Sequence, residues 1–398
     1  MEDKVRLIID GREIEALPGQ SVLEAALAAD IYIPHICTHP DLPVQANCKL
    51  CVVEIEGLDG GKVRADDIRR TFIHYPFDDG ASYFHCSDET LNAVWDLCKY
   101  SIKATSFCGI YVDGDRERIP YEADAYINQL GHYCVDREFS MARRSVDHLM
   151  TYPTWPTEWI LESVFLCWYD YMYTGDKSLL VKWYDLIKER TFLALKQENG
   201  LISTRTGKQT PELMKSIGYA GKAIKDIVDW PQAGAAGLEK ENAGEADGFE
   251  FSDYNTVVNA FHYRNLLEMA DIARALGKTA DAESFAARAE RVHAAYQRVF
   301  FRAATGVYAD GEKTDHASLH ANAAALAFGL VPPARQARVV AHLASRGMAC
   351  SVYFAQYLLE ALCEADRADV AIQLMSSTGR RSWKAMIDFG STITMEAW

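Results

Sequence analysis

Three cysteines, Cys37, Cys48 and Cys51, crowd one early segment of this 398-residue chain, while the other seven of its ten are scattered among helical stretches. Trp and Tyr, in contrast, concentrate between about Tyr83 and Tyr184. A chain that changes recipe in this way is built from two modules. The change falls near Gly57–Gly61, where IEGLDGG supplies a turn. Acidic residues outnumber basic ones by 56 to 41, and the net charge of −15 speaks against nucleic acid or an anionic membrane as partner. No apolar run approaches the ~18–20 residues of a membrane span. The amino-terminal stretch MEDKVRLIIDGREIEALPG has no signal-peptide core. The expectation is a cytoplasmic protein whose cysteines are reduced thiols or metal ligands.

In the first module VRLIIDG alternates as a strand, Gly11 marks a turn, and REIEALPG reads as a second strand. Ser21 with Glu24 three residues on predicts a capped helix over SVLEAALAAD. IYIPHIC leads into the cysteine loop, and VVEIEG closes as a strand, which together suit a β-grasp layout. Thiolates on an irregular loop can converge on one metal centre, because the backbone there follows neither helix nor sheet. The segment YIPHICTHPDLPVQANCKLCVVEIEG resembles the [2Fe–2S] ferredoxin-type domain of the complex I large subunit and of iron-only hydrogenases, over residues 4 to about 57. That resemblance implies Cys37, Cys48 and Cys51 as cluster ligands. A cluster of this type needs four ligands, and the next cysteine is Cys86, in the second module. His35 and His39 flank the loop. The expectation is a segment without a stable cluster.

From about Asp88 the pattern is helical. Leu91, Val94, Trp95, Leu97, Cys98 and Ile102 recur at helical spacing behind a Ser87/Asp88 cap. Further helices are expected at roughly 122–151, 158–174, 178–196, 254–276, 280–300, 316–329, 334–346, 351–364 and 367–378, about ten in all. The connection 197–252 is long enough to suggest a functional role. Consecutive hairpins without a repeat period point to an α/α toroid rather than a solenoid.

The densest polar motif is YVDGDRERIPYEADAY, residues 111–126, set at a helix entrance expected at Ile119-Pro120. Acids beside arginines at such an entrance suit glycoside hydrolysis, which needs a protonated acid, a second carboxylate and groups that bind hydroxyls. A salt-bridge network is the alternative reading, and metal binding a third that the arginines disfavour. Glu396, in ITMEAW between Met395 and Trp398, is expected to be partly desolvated, which would make its protonation tunable.

These motifs, with FHCSDETLNAVW, TYPTWPTEW, IVDWP, HASLHANAAALAFGLV, MACSVYFAQYLLEAL and RSWKAMIDFGSTITMEAW, resemble the six-hairpin catalytic domain of the α-L-rhamnosidase family from about Phe84 onward. The resemblance implies an (α/α)6 toroid, an inverting mechanism on terminal rhamnosides and no cofactor for the hydrolase. It casts Glu117 as general acid, Glu396 as general base, and Asp113 and Asp124 as sugar-hydroxyl binders, with Tyr121 where the family has tryptophan. Arg118, Asp229 and His320 are further candidates for substrate contact. Trp155, Trp159, Trp230 and Trp383 could stack on sugar faces. His316 and His320, at i and i+4 on one expected helix, read as polar packing or a substrate contact rather than metal ligands.

The expected organisation is therefore multidomain and mainly α. Residues 1–57 form an incomplete ferredoxin-like β-grasp segment, 58–85 carry remnant β-sandwich strands, and 86–398 form a toroid short of twelve helices. A fused or truncated gene product would explain that shortfall. Glu396, two residues from the end of the sequence, would then fray and turnover would be weak. Two readings stand beside the glycosidase: an iron–sulfur electron-transfer protein and an inactive carbohydrate-binding fragment.

Overall fold

The computed structural model describes residues 4–9, 11–31, 73–114, 117–232 and 244–398. Cys37, Cys48, Cys51, His35, His39 and the closing strand expected at VVEIEG lie outside these residues, as do Asp115 and Arg116. The chain divides into two compact units, Met1–Ile73 and His74–Trp398, at a point inside the expected connecting segment.

In the first unit β1 (Val5–Ile9) pairs antiparallel with β2 (Arg12–Ala16), Leu7 facing Ile14 and Ile9 facing Arg12. Gly11 takes φ +74°, a conformation that glycine adopts without a Cβ penalty. Helix α1 (Val22–Ala28) starts with the expected capping box: Glu24 N–H donates to Ser21 Oγ, and Ser21 N–H donates to the Glu24 carboxylate. Leu23, Ala25 and Ala26 bury against Ile14, Ala16 and Ile31. Hairpin and helix thus follow the reading from the sequence.

The second unit is helical. Helices α2 (Glu89–Ala104), α3 (Glu122–Val135), α4 (Ser140–Thr151), α5 (Thr157–Thr174) and α6 (Ser178–Glu189) follow one another. A short α7 (Pro211–Ser216) interrupts the long connection to α8 (Thr256–Ala275) and α9 (Thr279–Val299). A small hairpin pairs β3 (Phe301–Arg302) with β4 (Val307–Tyr308). Then come α10 (Leu319–Ala327), α11 (Pro333–Arg346), α12 (Ala355–Glu364), α13 (Ala368–Met375) and α14 (Trp383–Asp388). Helices α3, α5, α8, α10 and α12 are successive neighbours in an inner layer, and α4, α6, α9, α11 and α13 pack outside them. The sequence explains the division. Helices α5 and α10 bury residues on nearly every face, as inner helices must, whereas α4 and α11 bury a single stripe. These alternating layers are those expected of the six-hairpin toroid. Among the described residues no helix is long and apolar enough to cross a membrane.

Several expected boundaries move. The helix expected over 122–151 breaks after Val135, because Asp136 turns extended and its carboxylate accepts the N–H groups of Asp78 and Arg137. Helix α6 stops at Glu189, short of 196, where Phe192 takes φ +58°. Helix α10 begins at Leu319 behind the Ser318 cap, so His316 is not on it; His316 Nδ1 instead lies 2.5 Å from Asp310. Pro120 precedes α3 without entering it. Six-residue helices α7 and α14, started by Thr210 and Ser382 caps, were too short to show as periodicity. Of the strands expected in 58–85, the described part, 73–85, forms none.

Candidate active site

Asp113 organises the approach to α3. Asp113 Oδ1 accepts Ile119 N–H at 2.8 Å, Oδ2 accepts Glu117 N–H at 3.3 Å, and Asp113 N–H donates to Ile119 O at 3.0 Å. Arg118 sits at φ +58°, a left-handed conformation unusual for a non-glycine residue, and its guanidinium lies 5.7 Å from the Phe107 ring. Tyr121, next to the start of α3, donates its hydroxyl to Glu117 Oε2 at 2.5 Å. One turn into the helix, Asp124 faces the same space.

The opposite wall comes from distant parts of the chain. Trp230, in the long connection, donates Nε1–H to Glu396 Oε1 at 2.8 Å. Its strap is pinned on both sides of Val228, itself at φ +66°. Buried Glu158 accepts Ile227 N–H at 3.1 Å and Val228 N–H at 2.9 Å. Asp229 accepts Trp230 N–H and Ser351 N–H, both at 2.8 Å, and lies 2.6 Å from His320 Nε2. Strained backbone held by such over-determined contacts is a feature of binding sites.

The last residues are held as well. Thr394 N–H donates to Ser101 Oγ of α2 at 2.9 Å, and Trp398 Nε1–H donates to Cys350 O at 2.5 Å. The Trp398 ring meets Trp383 edge to face at 5.0 Å. Packing therefore anchors the segment expected to fray. Met395 and Trp398 face Met386 and Trp383, so they fix the backbone and leave Glu396 itself exposed, not desolvated as expected.

Between the two walls lies a cavity of about 440 Å³. Asp113, Glu117, Tyr121, Asp124, Trp155, Trp159, Trp230, Trp383 and Glu396 all line it. Arg118, Asp229 and His320 do not. Asp229 and His320 are fully buried, and their pairing supports the Trp230 strap from behind. Tyr353 and Gln356, which the sequence reading missed, complete the wall. The Trp159 indole meets Tyr121 edge to face at 5.2 Å. Trp159 Nε1 and Gln356 Oε1 are buried without a hydrogen-bond partner among the described residues.

Crowded acids change their own protonation. Burial, then the neighbouring Asp113, Glu396 and Glu117 carboxylates, push Asp124 up to about 7. Burial also raises Asp113. Beneath the cavity, burial and then Asp226 push Glu158 up to about 8. Glu162, a turn further along α5, is raised chiefly by burial and accepts the hydroxyls of Tyr353 and Tyr357. Buried Glu122 is raised by burial, against the Arg190 guanidinium. Glu158 and Glu162 escaped notice because acids within an apolar helix leave no motif. Their i, i+4 spacing at 158 and 162 was the available signal.

Comparison with known proteins adds two independent likenesses. The family described as the bacterial alpha-L-rhamnosidase 6 hairpin glycosidase domain matches residues 79–398. A 2Fe-2S iron-sulfur cluster binding domain matches residues 2–69. Among solved structures, a GH78 family rhamnosidase of Bacillus sp. GL1 superposes with a TM-score of 0.64 at 20% identity, covering 82% of this chain and 33% of that one. A rhamnosidase from Klebsiella oxytoca with rhamnose bound gives 0.62 at 15% identity, covering 79% of this chain and 58% of that one. At such identities the likeness is one of fold. An NADH-quinone oxidoreductase subunit of Rickettsia typhi is 48% identical over 52 residues, which is 13% of this chain and 8% of that relative.

Proposed function

Because the chain belongs to the bacterial α-L-rhamnosidase six-hairpin glycosidase family, we propose that its helical unit hydrolyses terminal α-L-rhamnosides with inversion. One observation carries this reading: three acids from the 113–124 segment and a fourth near the end of the sequence share one tryptophan-lined cavity. In the proposed mechanism Glu117, oriented by the Tyr121 hydroxyl, protonates the leaving oxygen. Glu396, oriented by Trp230, activates a water on the opposite face of the sugar. Inverting pairs stand roughly 6.5–9.5 Å apart to leave room for that water. Asp113 and Asp124 accept sugar hydroxyls. An aromatic plane suits the C–H face of a pyranose, which gives the tryptophans their part.

The proposal extends to a cytoplasmic chain whose partner is a carbohydrate, with neither nucleic acid nor membrane. The hydrolase chemistry uses acids and water alone. The amino-terminal segment belongs to a [2Fe–2S] type by sequence, but its donor set of Cys37, Cys48 and Cys51 falls one thiolate short of the four such a cluster takes. Electron transfer through it is therefore not part of the reading. Leaving-group dependence tests the roles. Glu117→Gln should lose ~10²- to 10⁴-fold on rhamnosides of poor leaving groups and far less on aryl rhamnosides, while Glu396→Gln loses both alike. Equal losses for the Glu117 variant would remove it from the acid role.

A further inference from the structure

The long connection 197–252 does more than carry Trp230. Near the end of its run AGAAGLEKENAGEADG stand two acids, Glu245 and Asp247, that tie it to the toroid. Asp247 accepts the Leu319 N–H at the start of α10 at 2.7 Å and pairs with Arg346 of α11. Ala246, between the two acids, is buried. Two framework helices thus fix the backbone beside Glu245, as a group that orients others requires.

Both segments of the wall that carries Trp230 and Glu396 meet at this residue. Glu245 N–H donates to Pro231 O, directly after Trp230, at 2.8 Å. The buried Glu245 carboxylate accepts Arg381 Nη2–H and a backbone hydrogen bond from Trp398, two residues past Glu396. Arg381 extends the junction, donating Nε–H to Met348 O at 2.6 Å and Nη2–H to Cys350 O at 2.9 Å. That Cys350 carbonyl also takes the Trp398 indole N–H, and the adjacent Ser351 N–H goes to Asp229. Hydrogen bonds to an ionised carboxylate are stronger than neutral ones. The strap and the terminal segment are therefore fastened to one residue, the first through its backbone and the second through its charge.

We propose that Glu245 is a positioning residue: clamped by Arg381, it ties Pro231 and Trp398 to one point and so sets the Glu396 carboxylate against the Trp230 indole N–H. Glu245 does not line the acid-lined cavity, so it acts through Glu396 and not on the sugar. The proposal rests on the reading in which Glu396 activates water.

Glu245→Gln keeps the shape of the side chain and removes the charge that Arg381 and Trp398 hold. On rhamnosides kcat should fall about tenfold, the scale of one hydrogen bond to a charged group, with KM little changed. The loss should be alike for aryl and for poor leaving groups, as for Glu396→Gln and unlike Glu117→Gln. On a Trp230→Phe background Glu245→Gln should cost little more, because both act on one contact, whereas independent structural damage would multiply. The ¹H–¹⁵N resonance of the Trp230 indole, assigned by its loss in Trp230→Phe, reports that contact without turnover. Glu396→Gln and Glu245→Gln should move it in the same direction. Arg381→Lys keeps the charge but loses the guanidinium fork; it should give a smaller change of the same kind, and it decides the matter if Glu245→Gln does not fold. A Trp230 resonance unmoved in these variants, multiplied losses in the double variant, or a loss in KM instead of kcat would overturn the proposal. Absence of turnover in the unaltered chain would instead overturn the glycosidase reading, and the resonance would still judge the contact.

Discussion

The two walls of the acid-lined cavity are built by opposite strategies. On one side, Asp113, Glu117, Tyr121 and Asp124 lie within twelve positions, and hydrogen bonds link Asp113 to Glu117 and Glu117 to Tyr121. On the other, Trp230 and Glu396 are 166 positions apart and meet only because Glu158, Asp229, His320, Ser351, Ser101 and Cys350 hold their two segments in place. A local wall can survive the loss of one contact, since chain connectivity keeps its members near. A wall assembled from distant segments has no such reserve.

Matched removal of one hydrogen bond from each wall measures that difference. Trp230→Phe keeps an aromatic face but deletes the indole N–H that holds Glu396. A hydrogen bond to a charged group contributes ~1.5–3 kcal/mol, and a displacement of about 1 Å can cost ~10²-fold in rate. We expect kcat to fall about a hundredfold with KM little changed. Tyr121→Phe deletes the shorter bond to Glu117, yet Asp113 still fixes the Glu117 backbone, so kcat should fall only about tenfold. Steady-state kinetics on one rhamnoside with a poor leaving group, which needs both the acid and the base, compares the two variants. Equal losses would show that connectivity gives the local wall no advantage.

This contrast also separates what could be read in the sequence from what could not. The density of acids over 111–126 and the Ser21–Glu24 cap are local patterns legible in spacing, although α3 starts at Glu122 and not at Ile119-Pro120. The break at Asp136 was missed because an acid that leaves a helix to cap a neighbouring loop looks no different in sequence from one on its surface. Asp229 and His320 were expected to contact substrate, but both are fully buried and face each other behind Trp230, which only packing could reveal. Arg190, fully buried and donating to the carbonyls of Leu149, Met150 and Ile217, left no signal at all. Glu396 stood out through its apolar flanks, whose role is to anchor the segment.

A smaller effect concerns pH. Asp124 titrates near 7 in the folded chain, well above the ordinary carboxylate range of about 4. The native state therefore holds a proton that the unfolded state has lost, and stability falls as pH rises from about 4 to about 7. Glu158, near 8, extends the same trend upward. Thermal melts should give a higher Tm at pH 5 than at pH 8. Asp124→Asn should flatten that dependence and raise Tm at pH 8, while weakening rhamnose binding there because an amide accepts hydroxyls less well than a carboxylate. A Tm that rises with pH over this range would contradict the crowding of acids around the cavity.

The central claim is that an acid and a base on opposite walls act across one sugar. Proton NMR of the first turnovers on an aryl α-L-rhamnoside, before the released sugar mutarotates, tests it most directly. The account predicts β-L-rhamnose as the first-formed anomer, because water enters from the Glu396 side as the aglycone leaves from the Glu117 side. Release of α-L-rhamnose first would require a covalent intermediate on one wall, and would contradict it.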